Sequence, residues 1–174
     1  QGSAHPAGTG AGRAMLMIPP IGADTCAMLI VACGAYRTGS TAQYNLVGAY
    51  VEACGLGRRL GLVEPDDVFS LPEKRGAGWY VAKCHHVVAG FRDFARPTAW
   101  ADLVLAGRAR PIGTLRDVGS VRASMCRKFG LAADELDASL LWREAQANTR
   151  RWHELAAVWQ HYDLVVDTPA AALR

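Results

Sequence analysis

The sequence predicts an α/β domain, a parallel sheet with helices on both faces, and three observations carry that expectation. The first is a continuous apolar run, Ala27 to Cys33 (AMLIVAC), ending at a glycine, which is how a strand buried on both faces of a parallel sheet reads. The second is the helical spacing that follows at once: Ala42, Leu46, Val47, Ala49, Tyr50 and Ala53 recur at steps of three and four, with Gly55 placed to end the helix. The third is that this alternation returns along the chain, and strands alternating with helices favour a parallel sheet with ligands at the carboxyl ends of its strands.

In chain order, Trp79 to Cys84 (WYVAKC) and Pro111 to Leu115 (PIGTL) read as two further short strands, each followed by helical spacing. The second of those helices runs from about Val118 to Phe129 and stops at Gly130. From Ala133 to Gln160 the pattern is that of one long helix, with a break expected near Asn148, and Tyr162 to Val166 (YDLVV) reads as a fourth strand. Asp167, Thr168 and Pro169 then look like the cap and first turn of another helix, because proline is favoured at the first helical position.

Composition sets the limits. With 174 residues, 51% of them hydrophobic and 20% charged, the chain fits one domain with a real core. Residues 1–24, rich in Gly, Ala and Pro, read as a mobile arm without the pattern of a signal peptide, leaving 25–174 as the folded domain. Lys and Arg number 19 against 16 Asp and Glu, a formal charge of +3 that suits a small anionic ligand and carries no basic stripe of the kind that grips nucleic acid. The longest apolar run is far shorter than the roughly 20 residues a bilayer crossing needs. Cys26, Cys33, Cys54, Cys84 and Cys126 show neither CxxC nor metal-ligand spacing, so they read as reduced thiols in a cytoplasmic protein.

The chemistry concentrates in the turn after the first strand. The segment GAYRTGST, Gly34 to Thr41, has the spacing of a Walker A loop, G-x-x-x-x-G-K-[ST], with Ser40 in the lysine position. Glycines at both ends let backbone N–H groups converge, and the next helix adds the positive end of its dipole, so an anion is favoured against Thr38, Gly39, Ser40 and Thr41. Arg37 is the cation inside the loop. The alternative is a tight strand-to-helix connection with no ligand.

Around this loop the chain resembles the sulfotransferases that use 3′-phosphoadenosine 5′-phosphosulfate (PAPS). Arg37 to Thr41 (RTGST) resembles the family's 5′-phosphosulfate loop. The resemblance implies that Arg37 neutralises the bridging oxygen while Thr38, Gly39, Ser40 and Thr41 bind the phosphate. Ala82 to His86 (AKCHH) resembles the family's Lys-x-His motif, which implies His85 as general base and Lys83 as holder of the transferring group. A histidine near its ordinary pKa of about 6.5 suits that work. His86 competes for the role, since neighbours on a strand face opposite sides.

Pro111 to Ser124 (PIGTLRDVGSVRAS) resembles the family's 3′-phosphate segment, a strand followed by Arg and then Ser eight positions later. Arg116 and Ser124 are implied as that phosphate's ligands; the alternative is an Arg116–Asp117 surface pair. The end, YDLVVDTPAAALR, resembles the family's late strand and helix. The resemblance implies a P-loop topology. It also implies transfer of a sulfuryl group from PAPS, leaving adenosine 3′,5′-bisphosphate (PAP), to a hydroxyl or amine of a small-molecule or carbohydrate acceptor, with no metal.

Two family features are missing. Ala42 stands where a tryptophan stacks on adenine, with Tyr44 the nearest aromatic. The late basic-glycine segment that closes the 3′-phosphate site would lie past Arg174, so the chain reads as a compact or a truncated variant. A P-loop kinase or phosphotransferase, and a nucleotide-binding protein without catalysis, are the competing functions. Residues 56–78 and 87–108, with Phe91, Phe94 and Trp100, are the candidate walls of an acceptor pocket, or else core.

Overall fold

The computed structural model describes residues 27–63, 78–86, 99–156 and 158–173. The expected N-terminal arm and most of the candidate acceptor walls, Phe91 and Phe94 among them, lie outside the described residues. Five strands form one sheet: β1 (Met28–Cys33), β2 (Gly57–Leu62), β3 (Trp79–Cys84), β4 (Ala109–Leu115) and β5 (Val158–His161), in the order β2-β3-β1-β4-β5. All four pairings are parallel. The helices are α1 (Ser40–Ala53), α2 (Ala99–Leu105), α3 (Val118–Phe129), α4 (Ala133–Ala138), α5 (Leu140–Leu155), α6 (Tyr162–Asp167) and α7 (Pro169–Ala172).

The apolar run at the start explains why β1 is central. Val31, Ala32 and Cys33 have no solvent exposure, and β1 pairs with β3 on one side and β4 on the other. The chain leaves β1 through α1 toward β2 at one edge, and later passes from β3 through α2 to β4 in the opposite direction. Crossovers of the same right hand that run in opposite directions put their helices on opposite faces. One face buries Leu29, Val31, Cys33, Tyr80, Ala82 and Cys84 beneath Leu103 of α2 and Trp152 of α5. A second cluster, Ala35, Val121, Met125, Leu136 and Ala145, ties the turn after β1 to α3, α4 and α5.

Among the described residues, no helix is long and apolar enough to cross a membrane. Cys33, Cys54, Cys84 and Cys126 are free thiols, and burial pushes the Cys33 thiol far above its ordinary range.

The first, second and third strands and the helix Val118–Phe129 fall where the pattern puts them. Asp117 accepts the amide of Ser120 at the start of α3, and Gly130 ends it in the left-handed conformation. Pro111 lies inside β4 rather than at its start, one residue before pairing with β5 begins at Ile112, where a residue with no N–H to give is tolerated. The strand β2 is an addition, since its sequence GRRLGL carries too little apolar alternation to announce it.

The C-terminal third differs most. The long helix breaks at Ser139, not near Asn148: the Ser139 hydroxyl accepts the amide of Trp142 and caps α5, while Asn148 stays inside α5 and donates to the Glu144 carbonyl. The helix ends at Leu155, and Val158–His161, of which the first three residues were expected to be helical, forms β5. Tyr162 to Val166, expected to be a strand, is α6 instead. The reason is partnership. β4 ends at Leu115, which pairs with His161, so a strand continuing past His161 would find no ladder to join, and a helix satisfies those backbone groups locally. Thr168 and Pro169 do begin a helix, α7.

A buried polar junction holds α1 to the sheet. Gln43 is completely buried; its amide nitrogen donates to the Gly113 carbonyl (3.1 Å) and to Gln160 (2.9 Å), and its oxygen accepts the Thr114 hydroxyl (3.1 Å). Gln160 in turn donates to the Ala172 carbonyl, so α1, β4, β5 and α7 share one network. Replacing one member strands the others, and each orphaned buried group costs about 1–3 kcal/mol. Gln43→Leu is therefore expected to lower the urea midpoint by an amount equivalent to about 3 kcal/mol; an unchanged midpoint would show that the junction contributes nothing.

Candidate functional site

Between Cys33 and Ser40 the chain reverses from a central strand into a helix, and the reversal has little freedom. Gly34 has φ 137° and Gly39 has φ 114°, both in the region that favours glycine. A Cβ on Gly34 would stand 2.7 Å from the Thr38 hydroxyl, and one on Gly39 would overlap the Tyr162 ring. Thr38 is buried and donates to the Ala35 carbonyl (2.9 Å), so its hydroxyl shapes the loop from within.

Arg37 is the one non-glycine with positive φ (68°) among the described residues, and two contacts hold it there. Its carbonyl accepts Arg116 Nη1 at 3.0 Å, and its own Nε donates to Ser124 Oγ at 2.9 Å. Arg37, Arg116 and Ser124, three of the residues expected on the nucleotide's phosphates, are thus one hydrogen-bonded group. Arg116 also lies over the Tyr162 ring, 4.4 Å from its centroid. Asp117 turns its carboxylate to the Ser120 amide, which is the first cause of its lowered pKa, so it serves mainly as a helix cap rather than as a partner of Arg116.

Helix α1 starts without a side-chain cap. The first helical bond runs from the Gln43 amide to the Gly39 carbonyl, so the amides of Ser40, Thr41 and Ala42 have no acceptor in the helix. Ser40 is 2% exposed, and among the described residues its hydroxyl has no hydrogen-bond partner. Lys83 comes across from β3 and donates to Thr41 Oγ1 at 2.7 Å. Lys83 thus brings an ammonium from a neighbouring strand to the first turn of α1. Burial lowers the pKa of Lys83, and the nearby positive charge of Arg37 lowers it further. Two cations that repel each other beside unbonded amides make a site that favours an anion.

Past β3 both histidines approach Tyr36. The ring centroids lie 4.6 Å apart for His85 and 5.7 Å for His86, so the expectation that only one could face a given side does not hold. Both residues follow the last strand residue, Cys84, where strand alternation has ended. His85 Nδ1 lies 3.0 Å from the Gly34 carbonyl. A carbonyl only accepts, so Nδ1 carries the proton and Nε2 keeps its lone pair. Burial lowers the pKa of His85 despite that bond, with Lys83 and His86 adding repulsion. Trp152 fixes the backbone here by donating to the His85 carbonyl at 3.2 Å.

Comparison with family models, with curated proteins and with solved structures finds no match to this chain.

Tyr36, Glu144 and Tyr162 also belong to this neighbourhood: Tyr36 lies in the loop itself without a motif to single it out, while Glu144 of α5 and Tyr162 of α6 reach it only through the fold. Tyr44, the aromatic nearest to the missing adenine platform, accepts the Gly61 amide at 3.0 Å and so serves β2. A cleft of about 470 Å³ opens between the ends of β4 and β5, with Arg116, Asp117, Ser120, Tyr162 and Asp163 in its wall.

The lowered pKa of His85 fixes a sign. The unfolded chain binds a proton at the ordinary value, about 6.5, before the folded chain does, so this residue's stabilising contribution is present above that pH and is lost as pH falls through the folded value. His85→Asn keeps a donor for Gly34 and removes the titration. Its thermal midpoint should fall less than that of the parent between pH 7 and pH 5, and equal slopes would remove His85 as the source.

Proposed function

We propose that the chain is a sulfotransferase that takes a sulfuryl group from PAPS and gives it to a hydroxyl or amine of a small-molecule or carbohydrate acceptor. The observation that carries the reading is the Lys83–Thr41 contact beside Arg37: cations gathered from β3 and from the loop meet at the amide end of α1, where Ser40 replaces a P-loop lysine. The position supports the same reading. The loop follows the strand on either side of which the sheet's connections diverge, and open α/β sheets bind ligands at that switch point. On this reading the topology is that of a P-loop fold.

The donor's 5′-phosphate would rest on the amides of Gly39, Ser40 and Thr41, with Arg37 and Lys83 balancing charge on the bridging and transferred oxygens. The 3′-phosphate would rest on Arg116, a planar fork suited to phosphate, and on Ser124, whose O–H is still a donor while its oxygen accepts from Arg37. His85 would take the acceptor's proton at Nε2, the nitrogen that the Gly34 bond leaves unprotonated. No metal enters this scheme. PAPS supplies the reactive mixed anhydride, and the chain's residues supply position and charge.

Thermal shift and calorimetry with adenosine 3′,5′-bisphosphate test the reading. The bisphosphate should stabilise the protein, and Lys83→Ala or Arg116→Ala should each weaken its binding by about tenfold or more, the loss of one hydrogen bond to a charged group. Stabilisation by Mg-ATP alone would assign the loop to a phosphotransferase. Bisphosphate binding without PAPS turnover in any preparation would leave a nucleotide-binding protein that does no chemistry.

A further inference from the structure

Outside the groups already given roles, one arrangement on this face has the layout of a nucleophile, a base and an orienting acid. Glu144 Oε1 of α5 lies 3.1 Å from His86 Nδ1, and His86 Nε2 lies 3.1 Å from the hydroxyl of Tyr36 in the loop. The carboxylate only accepts, so Nδ1 carries the proton. Nε2 is then left as an acceptor, and the phenolic O–H points its hydrogen at it. Both members of the His86–Glu144 pair are largely buried, with 20% and 16% of their side-chain surface exposed, so the bond is shielded from water. Tyr36 is half-buried, tilted against His85 and edge-on to Phe129.

We propose that Tyr36 is a nucleophile, its phenolic oxygen accepting a sulfuryl or phosphoryl group from an anhydride whose oxyanion sits on the loop. The inference rests on the reading of the loop as a nucleotide's anion seat. Tyr36 adjoins Arg37 in that loop, and a nucleophile within hydrogen-bond reach of a base that a third group orients is the general signature of an activated side chain. An ordinary phenol, with pKa about 10, is a poor nucleophile near neutrality unless a base takes its proton as the new bond forms.

The step balances within these groups and the donor. The Tyr36 oxygen bonds to the sulfur or phosphorus of the terminal group. The bond from that atom to the bridging oxygen breaks, and the oxygen leaves on the nucleotide with the electron pair. The phenolic proton passes to His86 Nε2, and the resulting imidazolium faces the Glu144 carboxylate. Return is the reverse sequence with an acceptor: its oxygen or nitrogen attacks the aryl ester, the acceptor loses a proton, and the departing Tyr36 oxygen takes one back from His86. His86 and Glu144 are positioning and proton-holding residues in this scheme, and the bond-forming atom is Tyr36 Oη.

The test has two arms on the full chain. In the first, the protein is incubated with PAPS and, separately, with Mg-ATP, and intact mass and fragmentation are read. The expected result is a single sulfuryl or phosphoryl adduct on Tyr36, absent in Tyr36→Phe and formed at least about tenfold more slowly in Glu144→Gln, while both variants bind adenosine 3′,5′-bisphosphate as the parent does. Bisphosphate binding with no adduct, or with an adduct elsewhere, overturns the inference and leaves the nucleotide reading intact.

The second arm needs no nucleotide. A small aryl sulfonyl fluoride should modify Tyr36 ahead of Tyr44, Tyr50, Tyr80 and Tyr162, and His86→Gln or Glu144→Gln should remove that preference. Labelling of Tyr36 no faster than the others overturns the inference even if no nucleotide binds. Circular dichroism of each variant separates loss of reactivity from loss of fold.

Discussion

The arrangement depends on one strained residue being held from two sides. Arg37 takes a left-handed backbone conformation that costs a non-glycine residue of order 1 kcal/mol, and it does so just past a strand whose last three residues are buried, where the chain must turn into a helix. Arg116, from the end of β4, holds its carbonyl, and Ser124, from inside α3, accepts from its side chain. The loop's shape is thus dictated by residues that lie far along the chain. It is also linked to the sheet order, because β4 stands next to β1 and delivers both partners to the loop. Strain that persists because its surroundings enforce it is usually found where a site needs a fixed backbone.

Electrostatics gives that shape a purpose. A guanidinium inside the loop, an ammonium arriving from β3 and helix amides with no internal acceptor all gather at the carboxyl end of β1. The lowered pKa values of Lys83 and His85 have burial as their first cause and neighbouring positive charge as a further one, so the site disfavours added protons and rewards an incoming anion. Ser40 carries no charge at the start of α1, yet the loop is not without a second cation. Lys83 brings it from β3, two residues before His85.

The sequence made part of this legible. A long apolar run flanked by glycine and followed by helical spacing has few readings other than a buried strand and its crossover helix, and β1, β3 and α3 fall where their patterns put them. The candidate residues Arg37, Lys83, His85, Arg116 and Ser124 come from segments that resemble sulfotransferase motifs, and the fold brings each to the loop, to a strand end or one helix further on. Their contacts with one another were not. Nothing in the pattern shows that Ser124 meets Arg37, or that Lys83 spans to Thr41, since these pairings depend on strand order. The C-terminal third is not legible for a related reason: YDLVV has the composition of a strand, but whether it forms one is decided by whether β4 extends far enough to pair with it. Ser139 ended a helix that apolar spacing alone would have continued, because its hydroxyl supplies a cap. Tyr36 and Glu144 are an extreme case, separated along the chain and joined only through His86.

A crystal structure with adenosine 3′,5′-bisphosphate tests the central claim most directly. One phosphate is expected on the amides of Ser40 and Thr41 between Arg37 and Lys83, and the second on Arg116 and Ser124, with Arg37 still in its left-handed conformation. A bisphosphate bound away from the loop, or Arg37 and Arg116 turned to separate surfaces with the ligand touching neither, would contradict it.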